Sequence, residues 1–258
     1  VPSQHEFLDD VMSQVDPDDA ALPALLRLPY DNRNLINLLE KTGAEFDPRG
    51  NYTQEELEEE TKVPERVPSY MVAFIEAHKE GRSLFGGLGL EDQLNRLFYE
   101  EMTAHPNEFI RKWFDFERNL RNVLVGLNSR RLAEAAGEGS PYDLQRTVVG
   151  GNDVAESILR SNAPDFSLGS MFPSVERITS LDMGQLEEFE RGIDLLRWDV
   201  LDELTIFAYF QIETILAYCI KLGMVDRWQR LDPAAGKQRL ENLVKELESG
   251  FELDEAIE

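Results

Sequence analysis

The sequence predicts an all-α protein made of antiparallel helices with short connections. Apolar residues recur at intervals of three or four along nearly every segment, which is the period of a helix with one buried side. Segments in which apolar or β-branched residues alternate with polar ones, the pattern of a strand, are absent apart from a few residues at 147–149. Pro, Gly, Asn and Asp separate the helical segments and mark where they begin and end.

Residues 109–131 carry the clearest helical pattern. One side of this helix, the side predicted to face the core, holds Phe109, Trp113, Phe116, Leu120, Leu124, Leu127 and Arg131, with Val123 widening the stripe. The opposite arc, away from the predicted core, holds Asp115, Arg118 and Asn122. The helix is predicted to begin at Pro106, to run to Ala136 and to be closed by residues 137–141.

This helix contains a heptapeptide that echoes an earlier one. Residues 118–124 read RNLRNVL and residues 33–39 read RNLINLL, so both fit the pattern R-N-L-x-N-(aliphatic)-L. Asn is a mediocre residue for a helix interior, so two matching asparagines are less expected than matching leucines. The echo indicates either a duplicated helical unit or two unrelated amphipathic helices, and the pattern leaves both open.

In the first sixty residues, helix boundaries follow from Pro, Asp and Gly. Residues 1–28 are predicted to be helical with a break at 15–17, and Pro29 is predicted to end that helix. Asp31 is predicted to cap a helix that runs to Lys41 and stops at Gly43. After a turn at 47–52, Thr53 and Glu56 form the pattern of a capping box for a short acidic helix.

The remaining helices are predicted from the same periodicity. Those before the centre of the chain span 70–79 and 90–105, and two short ones span 153–161 and 174–181. A helix of more than thirty residues is then predicted over 186–222 with a kink near Gly192, followed by a last helix from Asp232-Pro233 to Gly250. We expect one all-α protein over residues 1–258, which a duplication would divide into sub-bundles at 1–82, 83–150 and 151–258.

The charge and the apolar runs limit the partners of the chain. A net charge of −24 excludes general electrostatic binding to nucleic acid or to an anionic membrane surface, and favours a basic protein partner. The apolar run at 206–220 is shorter than the roughly twenty residues that span a bilayer, and Gln211 and Glu213 interrupt it. No direct membrane insertion is therefore expected.

The cysteine content and the first residues indicate a cytoplasmic location. Cys219 is the single cysteine, so no internal disulfide forms, which suits a reducing compartment. It lies within an apolar helical run and is predicted to be a small core residue. Residues 1–10 lack the basic start and apolar run of a signal peptide.

No constellation in the sequence calls for catalysis, a cofactor or a metal. The three histidines lie far apart, and Glu101 with His105 is not joined by the second ligand set that a di-iron bundle needs. Residues 86–89, GGLG, lack the Lys-Ser or Lys-Thr that completes a phosphate loop. Glu213 is a candidate buried acid, expected to pair with an Arg or Lys or to be protonated. The chain is therefore predicted not to be an enzyme, with no catalytic, cofactor-binding or metal-binding residue.

Several short motifs stand out in the sequence. They are DNRNL at 31–35, RGNYT at 49–53 with EEL at 55–57, VPSYM at 67–71 with FI at 74–75, and FQIETILAYCIKLGMVDRW at 210–228. Together these motifs resemble an uncharacterised bacterial family encoded beside V-type ATPase subunits. That family is similar to the C subunit of archaeal-type ATPases, whose eukaryotic V-ATPase counterpart is the d subunit. Residues 34–39 and 119–124 match the Asn-containing helix of its repeats, and 218–222 resemble its Y-x-x-K helix, although 223–226 (GMVD) stand where E-x-x-N usually follows.

The resemblance implies a mechanical role. The C subunit of V/A-type ATPases is a funnel of repeated three-helix bundles that connects the central shaft to the membrane ion ring and has no active site. The chain would then be a cytoplasmic rotor adaptor in ion transport, peripheral to the membrane, with the central stalk and rotor ring as partners. Two alternatives stay open: a metal-assisted all-α enzyme that uses its many carboxylates, and an assembly or regulatory factor of the same ATPase.

Overall fold

The computed structural model describes residues 6–7, 10, 14–16, 19, 21–136, 147–208 and 211–230. These residues contain no strand, so the all-α prediction is confirmed for them. Their helices are α1 (Leu22–Leu25), α2 (Leu28–Glu40), α3 (Gln54–Glu60), α4 (Ser69–Lys79), α5 (Leu90–Thr103), α6 (Glu108–Ala136), α7 (Asp153–Arg160), α8 (Ser174–Thr179), α9 (Leu186–Thr205) and α10 (Ile212–Arg230).

The chain forms two compact units. The larger, Val15–Leu216, contains α1 to α9 and the first turn of α10. The smaller combines Val1–Gln14 with Ala217–Glu258, and in it the ring of Phe7 meets the ring of Tyr218 edge to face at 4.9 Å between centroids. Cys219 is completely buried and forms no disulfide, as predicted.

The core of the larger unit is organised around α5 and α6, which pack against each other. Helices α2 and α4 pack on α5, while α7 and α9 pack on α6. Phe98 of α5 lies at the centre, with ring centroids 5.7 Å from Tyr70, 5.2 Å from Tyr99 and 5.1 Å from Phe114. Aromatic pairs at these distances add to the stability that their buried area provides, so this cluster ties three helices together.

Helix α6 has the predicted length, but its burial differs from the predicted stripe. The first part of the stripe is buried, whereas Leu124 and Leu127 are half-buried and Arg131 is exposed. On the opposite arc, Arg118 is only 7% exposed and Asn122 is completely buried, so that part of the prediction is wrong. The reason at Asn122 is that the loop before α7 covers this side and exchanges two hydrogen bonds with the Asn122 amide. Arg118 instead donates to Asp115 of the same helix.

The capping box at Thr53 is confirmed, but two boundaries of α2 differ from the prediction. The Thr53 hydroxyl accepts from the Glu56 N–H, and the Glu56 carboxylate accepts from the Thr53 N–H. Pro29 lies in the first turn of α2 and begins that helix, where a proline needs no N–H partner. Asp31 lies inside this turn and caps nothing. The last helical residue is Glu40, and Lys41, to which the helix was predicted to run, is instead the C-cap in the left-handed conformation (φ 53°).

The predicted helix over 186–222 is interrupted, so its continuity is wrong. Helix α9 ends at Thr205 and α10 begins at Ile212, while Gly192 lies inside unbroken helix. A glycine stands at 192 because a Cβ there would lie 2.6 Å from a methyl carbon of Leu181. Among the described helices, none is both long and apolar enough to cross a membrane. The predicted helix at 232–250 and the closing segment at 137–141 lie outside the described residues, as does most of residues 1–20.

Candidate functional site: two asparagine joints

Within the described residues, no three His, Cys, Asp or Glu side chains are placed together to hold a metal ion. Glu101 accepts a hydrogen bond from the Ser69 hydroxyl, and Nδ1 of His105 accepts from the Asn107 N–H. Glu213 is half-buried, and its carboxylate accepts from the Asn107 side-chain amide at 2.9 Å, where the sequence predicted an Arg or Lys partner or a protonated acid. Two groups of buried polar side chains that form hydrogen bonds with loop backbone lie elsewhere, on α2 and α6.

The first joint consists of Asp31 and Asn34 of α2 with Asp47 and Asn51 of the following loop. The buried Asn34 amide donates to the Asp47 carbonyl at 2.8 Å, and its oxygen accepts from the Asp47 N–H at 2.9 Å. This pair of bonds satisfies both backbone groups of one loop residue, as a neighbouring strand would do. The loop is therefore fixed to the helix in the absence of a sheet.

One turn earlier, Asp31 holds the far end of the same loop. Its carboxylate accepts from the Asn51 N–H at 2.8 Å, the Asn51 side-chain amide at 2.7 Å and the Tyr52 N–H at 3.3 Å. The Asn51 amide also donates to the Ala24 carbonyl, which connects the loop to α1. Asp31 has no exposed surface, so burial raises its pKa to about 6, although its hydrogen bonds with Asn51 and Tyr52 act to lower the pKa.

This raised pKa predicts how stability depends on pH. The folded state binds the Asp31 proton more tightly than the unfolded state, so this residue adds stability below about pH 4, and that contribution disappears as pH rises through 6. Relative to Asp31→Asn, which cannot titrate, the wild-type protein should gain about 2 to 3 kcal/mol in free energy of unfolding between pH 7 and 4. Urea unfolding of both proteins at several pH values measures the difference. A difference that is constant, or that shrinks as pH falls, would contradict the raised pKa.

The second joint consists of Asn119 and Asn122 of α6 with Val149 and Asn152 of the loop before α7. The Asn122 amide donates to the Val149 carbonyl at 2.8 Å, and its oxygen accepts from the Val149 N–H at 3.0 Å, with both residues completely buried. One turn earlier, Asn119 accepts from the Asn152 amide at 2.7 Å. Asn152 also caps α7 by accepting from the Ala155 N–H.

The two joints share their geometry, but in a register different from the sequence echo. The echo pairs Asn34 with Asn119 and Asn37 with Asn122. In the structure Asn34 and Asn122 make the same paired backbone bonds, and Asn37 accepts only from the Thr42 hydroxyl at the surface. The matching positions lie 88 residues apart, three more than in the echo. With an offset of 88 residues, Asp31 corresponds to Asn119, so the alignment that the heptapeptide echo gives is wrong.

The loops show a match that the sequence reasoning missed. Gly50-Asn51 precedes Thr53, the cap of α3, and Gly151-Asn152 directly precedes α7. In each loop the asparagine bonds to the first polar side chain of its joint, Asp31 or Asn119. A search for a Gly-Asn pair before a short helix, combined with two polar residues three apart on the previous helix, would have found both.

A half-buried ion pair fixes α9 to α6. Arg197 donates to both carboxylate oxygens of Glu117, at 2.7 and 3.1 Å, and Nη1 also reaches Asp194 at 3.3 Å. These carboxylates raise the pKa of Arg197 even though burial acts to lower it. The bidentate geometry sets the rotation of one helix relative to the other, because only one side of α9 presents Arg197. The two joints and the Arg197–Glu117 ion pair therefore fix the positions of helices and loops. None of them places a nucleophile or a proton donor beside a cavity.

Comparison with known proteins identifies a family whose description names no function. A family model described as "Protein of unknown function (DUF2764)" matches residues 2–251. An uncharacterized protein of Chlamydia muridarum (strain MoPn / Nigg) is 22% identical over 154 residues, which cover 59% of this chain and 56% of that protein. The match thus spans little more than half of the relative's length. No solved structure matches the chain.

Proposed function

Because the family model matches residues 2–251, the chain belongs to the DUF2764 family, and from this premise we propose that it is a non-catalytic subunit of a V/A-type ATPase. Its role in this proposal is that of a rotor adaptor, which connects the central shaft to the membrane ion ring during ion transport. The proposed architecture is a set of repeated helical bundles like those of the ATPase funnel described above. The proposal rests on the resemblance of short motifs at 31–35, 49–53 and 210–228.

The observation that best supports this proposal is the pair of joints. Two long helices, α2 and α6, each present a polar residue and, three positions later, an asparagine to a loop that leads into a short helix. The matching helix positions lie 88 residues apart, and their loop partners lie 101 or 102 residues apart. Such a match is expected if one helical unit was duplicated and the loop of the second copy is longer, and the resemblance to the ATPase funnel implies such repeats. Two unrelated amphipathic helices would have no reason to share these hydrogen-bonding positions.

The joints also suit an element that transmits torque. Loops are usually the first parts of a fold to open, because few contacts hold their backbone. Here the loop backbones at Asp47 and Val149 are bonded on both sides to buried or half-buried side chains. The aromatic cluster around Phe98 and the Arg197–Glu117 pair add connections between helices. A rotor adaptor needs this resistance to local unfolding.

A surface on α9 is a fitting place for a basic partner protein. We define the α9 face as Leu195, Trp198, Asp199, Asp202 and Ile206, which lie on one side of the helix and are all exposed. Leu195 is 49% and Ile206 is 59% exposed. Exposed apolar side chains interspersed with carboxylates match a helix that carries both apolar and Lys or Arg residues, such as those of a central shaft.

Co-purification from membranes of the source cell tests the proposal. The tagged wild-type chain is expected to bring down the central-stalk subunits and the ion ring, and Leu195→Ser/Ile206→Ser should reduce their yield at least about tenfold, since each buried leucine or isoleucine contributes roughly 1.5–3 kcal/mol. The matched control Leu132→Ser/Leu159→Ser, which also replaces exposed leucines, should retain them. Absence of ATPase subunits from the wild-type sample would overturn the proposed function.

The two alternatives are separated by independent measurements. A permanent rotor subunit is present in a fixed ratio to the shaft in the intact complex, whereas an assembly or regulatory factor is found only with incomplete or inactive complexes. A metal-assisted enzyme would retain metal through purification, which elemental analysis detects. In the described part of the chain, no group of His, Cys, Asp and Glu side chains could hold a metal ion, so none favours the metal-assisted enzyme.

A further inference from the structure

An open cavity of about 660 Å³ lies against the amino-terminal half of α6 in the larger unit. Its walls come from α6, from the end of α5 at Thr103 and from the residues that precede α7 and begin α8. This volume is within the range of roughly 300–1,000 Å³ in which proteins bind small molecules. Neither the joints nor the proposed adaptor role explains it.

The charge of the cavity is opposite to that of the protein. Arg111, Lys112 and Arg118 line it with a single carboxylate, Asp115, in a chain with a net charge of −24. Arg111 donates to the backbone carbonyls of His105 and Pro106. Glu108 pairs with Lys112 at 2.6 Å and also attracts Arg111, so the charge of these two cations is partly neutralised. Gly151 also lines the cavity, next to the amino end of α7, where the helix dipole is positive.

Arg118 is the cation with the least complete set of partners. It is 7% exposed, and its Nη2 donates to Oδ1 of Asp115 at 2.5 Å. Its buried Nε has no hydrogen-bond partner within the described part of the chain. Arginine binds anions most strongly through two parallel N–H groups, so a single contact at Nη2 leaves the Nε edge unused. Asp115 is 46% exposed at its side chain, and its other oxygen accepts from the Asn119 amide at 3.3 Å.

The remaining wall combines apolar side chains with the polar Thr103, Asn119 and Ser174. The rings of Phe116 and Phe172 lie 5.9 Å apart between centroids, and Met171 beside them is 45% exposed. We propose that this cavity binds a small organic anion, in which a phosphate or carboxylate group is joined to an apolar part. The anionic group accepts from Nε and Nη2 of Arg118 in place of Asp115, and the apolar part packs on Phe116, Phe172 and Met171. This site does not depend on the proposed ATPase role.

Calorimetric titration of the full chain tests the site with four probes: phenyl phosphate, benzoate, inorganic phosphate and phenol. Phenyl phosphate or benzoate, depending on which anionic group the site prefers, is expected to bind one to one. Inorganic phosphate should bind at least about fivefold more weakly, and phenol should not bind. Equal affinity for inorganic phosphate would overturn the assignment to an organic anion, and no binding of either aromatic anion would overturn the site itself.

Variants locate the binding at Arg118. Arg118→Gln should weaken binding tenfold or more, because the charged bidentate contact is lost. Asp115→Asn should tighten it severalfold, because the competing carboxylate is removed while an acceptor for Nη2 remains. Arg160→Gln, an exposed arginine on α7 that lines a different cavity, should bind like the wild type. Unchanged affinity in Arg118→Gln overturns the proposal. If that variant does not fold, unchanged or weaker binding in Asp115→Asn overturns it equally.

Discussion

Replacing Asn122 with leucine is expected to lower the free energy of unfolding by about 3 kcal/mol or more, since each buried backbone group left without a partner costs roughly 1–3 kcal/mol. The substitution keeps the branched shape of the side chain but removes both hydrogen bonds to Val149, whose backbone has no solvent to replace them. Chemical denaturation monitored by circular dichroism measures the change. Asn34→Leu should have a similar cost, because it removes the equivalent bonds to Asp47.

Asn37→Leu is the matched control, and it also decides between the two registers. Asn37 is half-buried and accepts a single exposed hydrogen bond from Thr42, so its replacement should change stability by less than about 1 kcal/mol. If the echo's alignment described the fold, Asn37 and Asn122 would be equivalent and equally sensitive. A large cost at Asn37 with a small one at Asn34 would therefore contradict the 88-residue register and weaken the case for duplication.

The sequence predicts the helices well because helical periodicity is local. The capping box at Thr53, the span of α6 and the helices at 69–79 and 90–103 all follow from residues within one or two turns of each other. The break after Thr205 was missed for a related reason. Residues 206–211 carry no Pro or Gly, so nothing in the local pattern interrupts the apolar run.

The joints could be predicted only in part, because their partners are distant in sequence. Asp31 looked like a helix cap, since an acid after a proline is a common helix start, yet its hydrogen-bond donors come from residues 51 and 52. Asn122 was placed on the outer arc of α6 because polar residues usually face solvent, and only the loop at Val149 makes its burial favourable. Of the repeated asparagines, Asn34, Asn119 and Asn122 do bond to loops, whereas their alignment required knowledge of which backbone groups they satisfy.

Gly50→Ala is expected to destabilise the protein by about 3 kcal/mol or more, near the upper end of what one extra buried methyl group costs. A Cβ at this position would lie 2.1 Å from Oδ1 and 3.0 Å from Cγ of Asp31. The carboxylate cannot turn aside without losing its hydrogen bonds to Asn51 and Tyr52. The loop cannot move away without releasing the Asn51 contact to Ala24. Thermal and urea unfolding measure the loss.

Two further variants show whether the clash with Asp31 is the cause. Gly86→Ala, in the loop before α5, places a Cβ in open space at an unstrained backbone position, so its stability should stay within about 1 kcal/mol of the wild type. In an Asp31→Ala background the colliding oxygen is absent, so Gly50→Ala should cost far less than it does in the wild type. A double-mutant cycle measures this coupling, which is expected to exceed about 1 kcal/mol. Additive effects of the two substitutions would mean that backbone freedom at Gly50, and not its close approach to α2, is what the first joint requires.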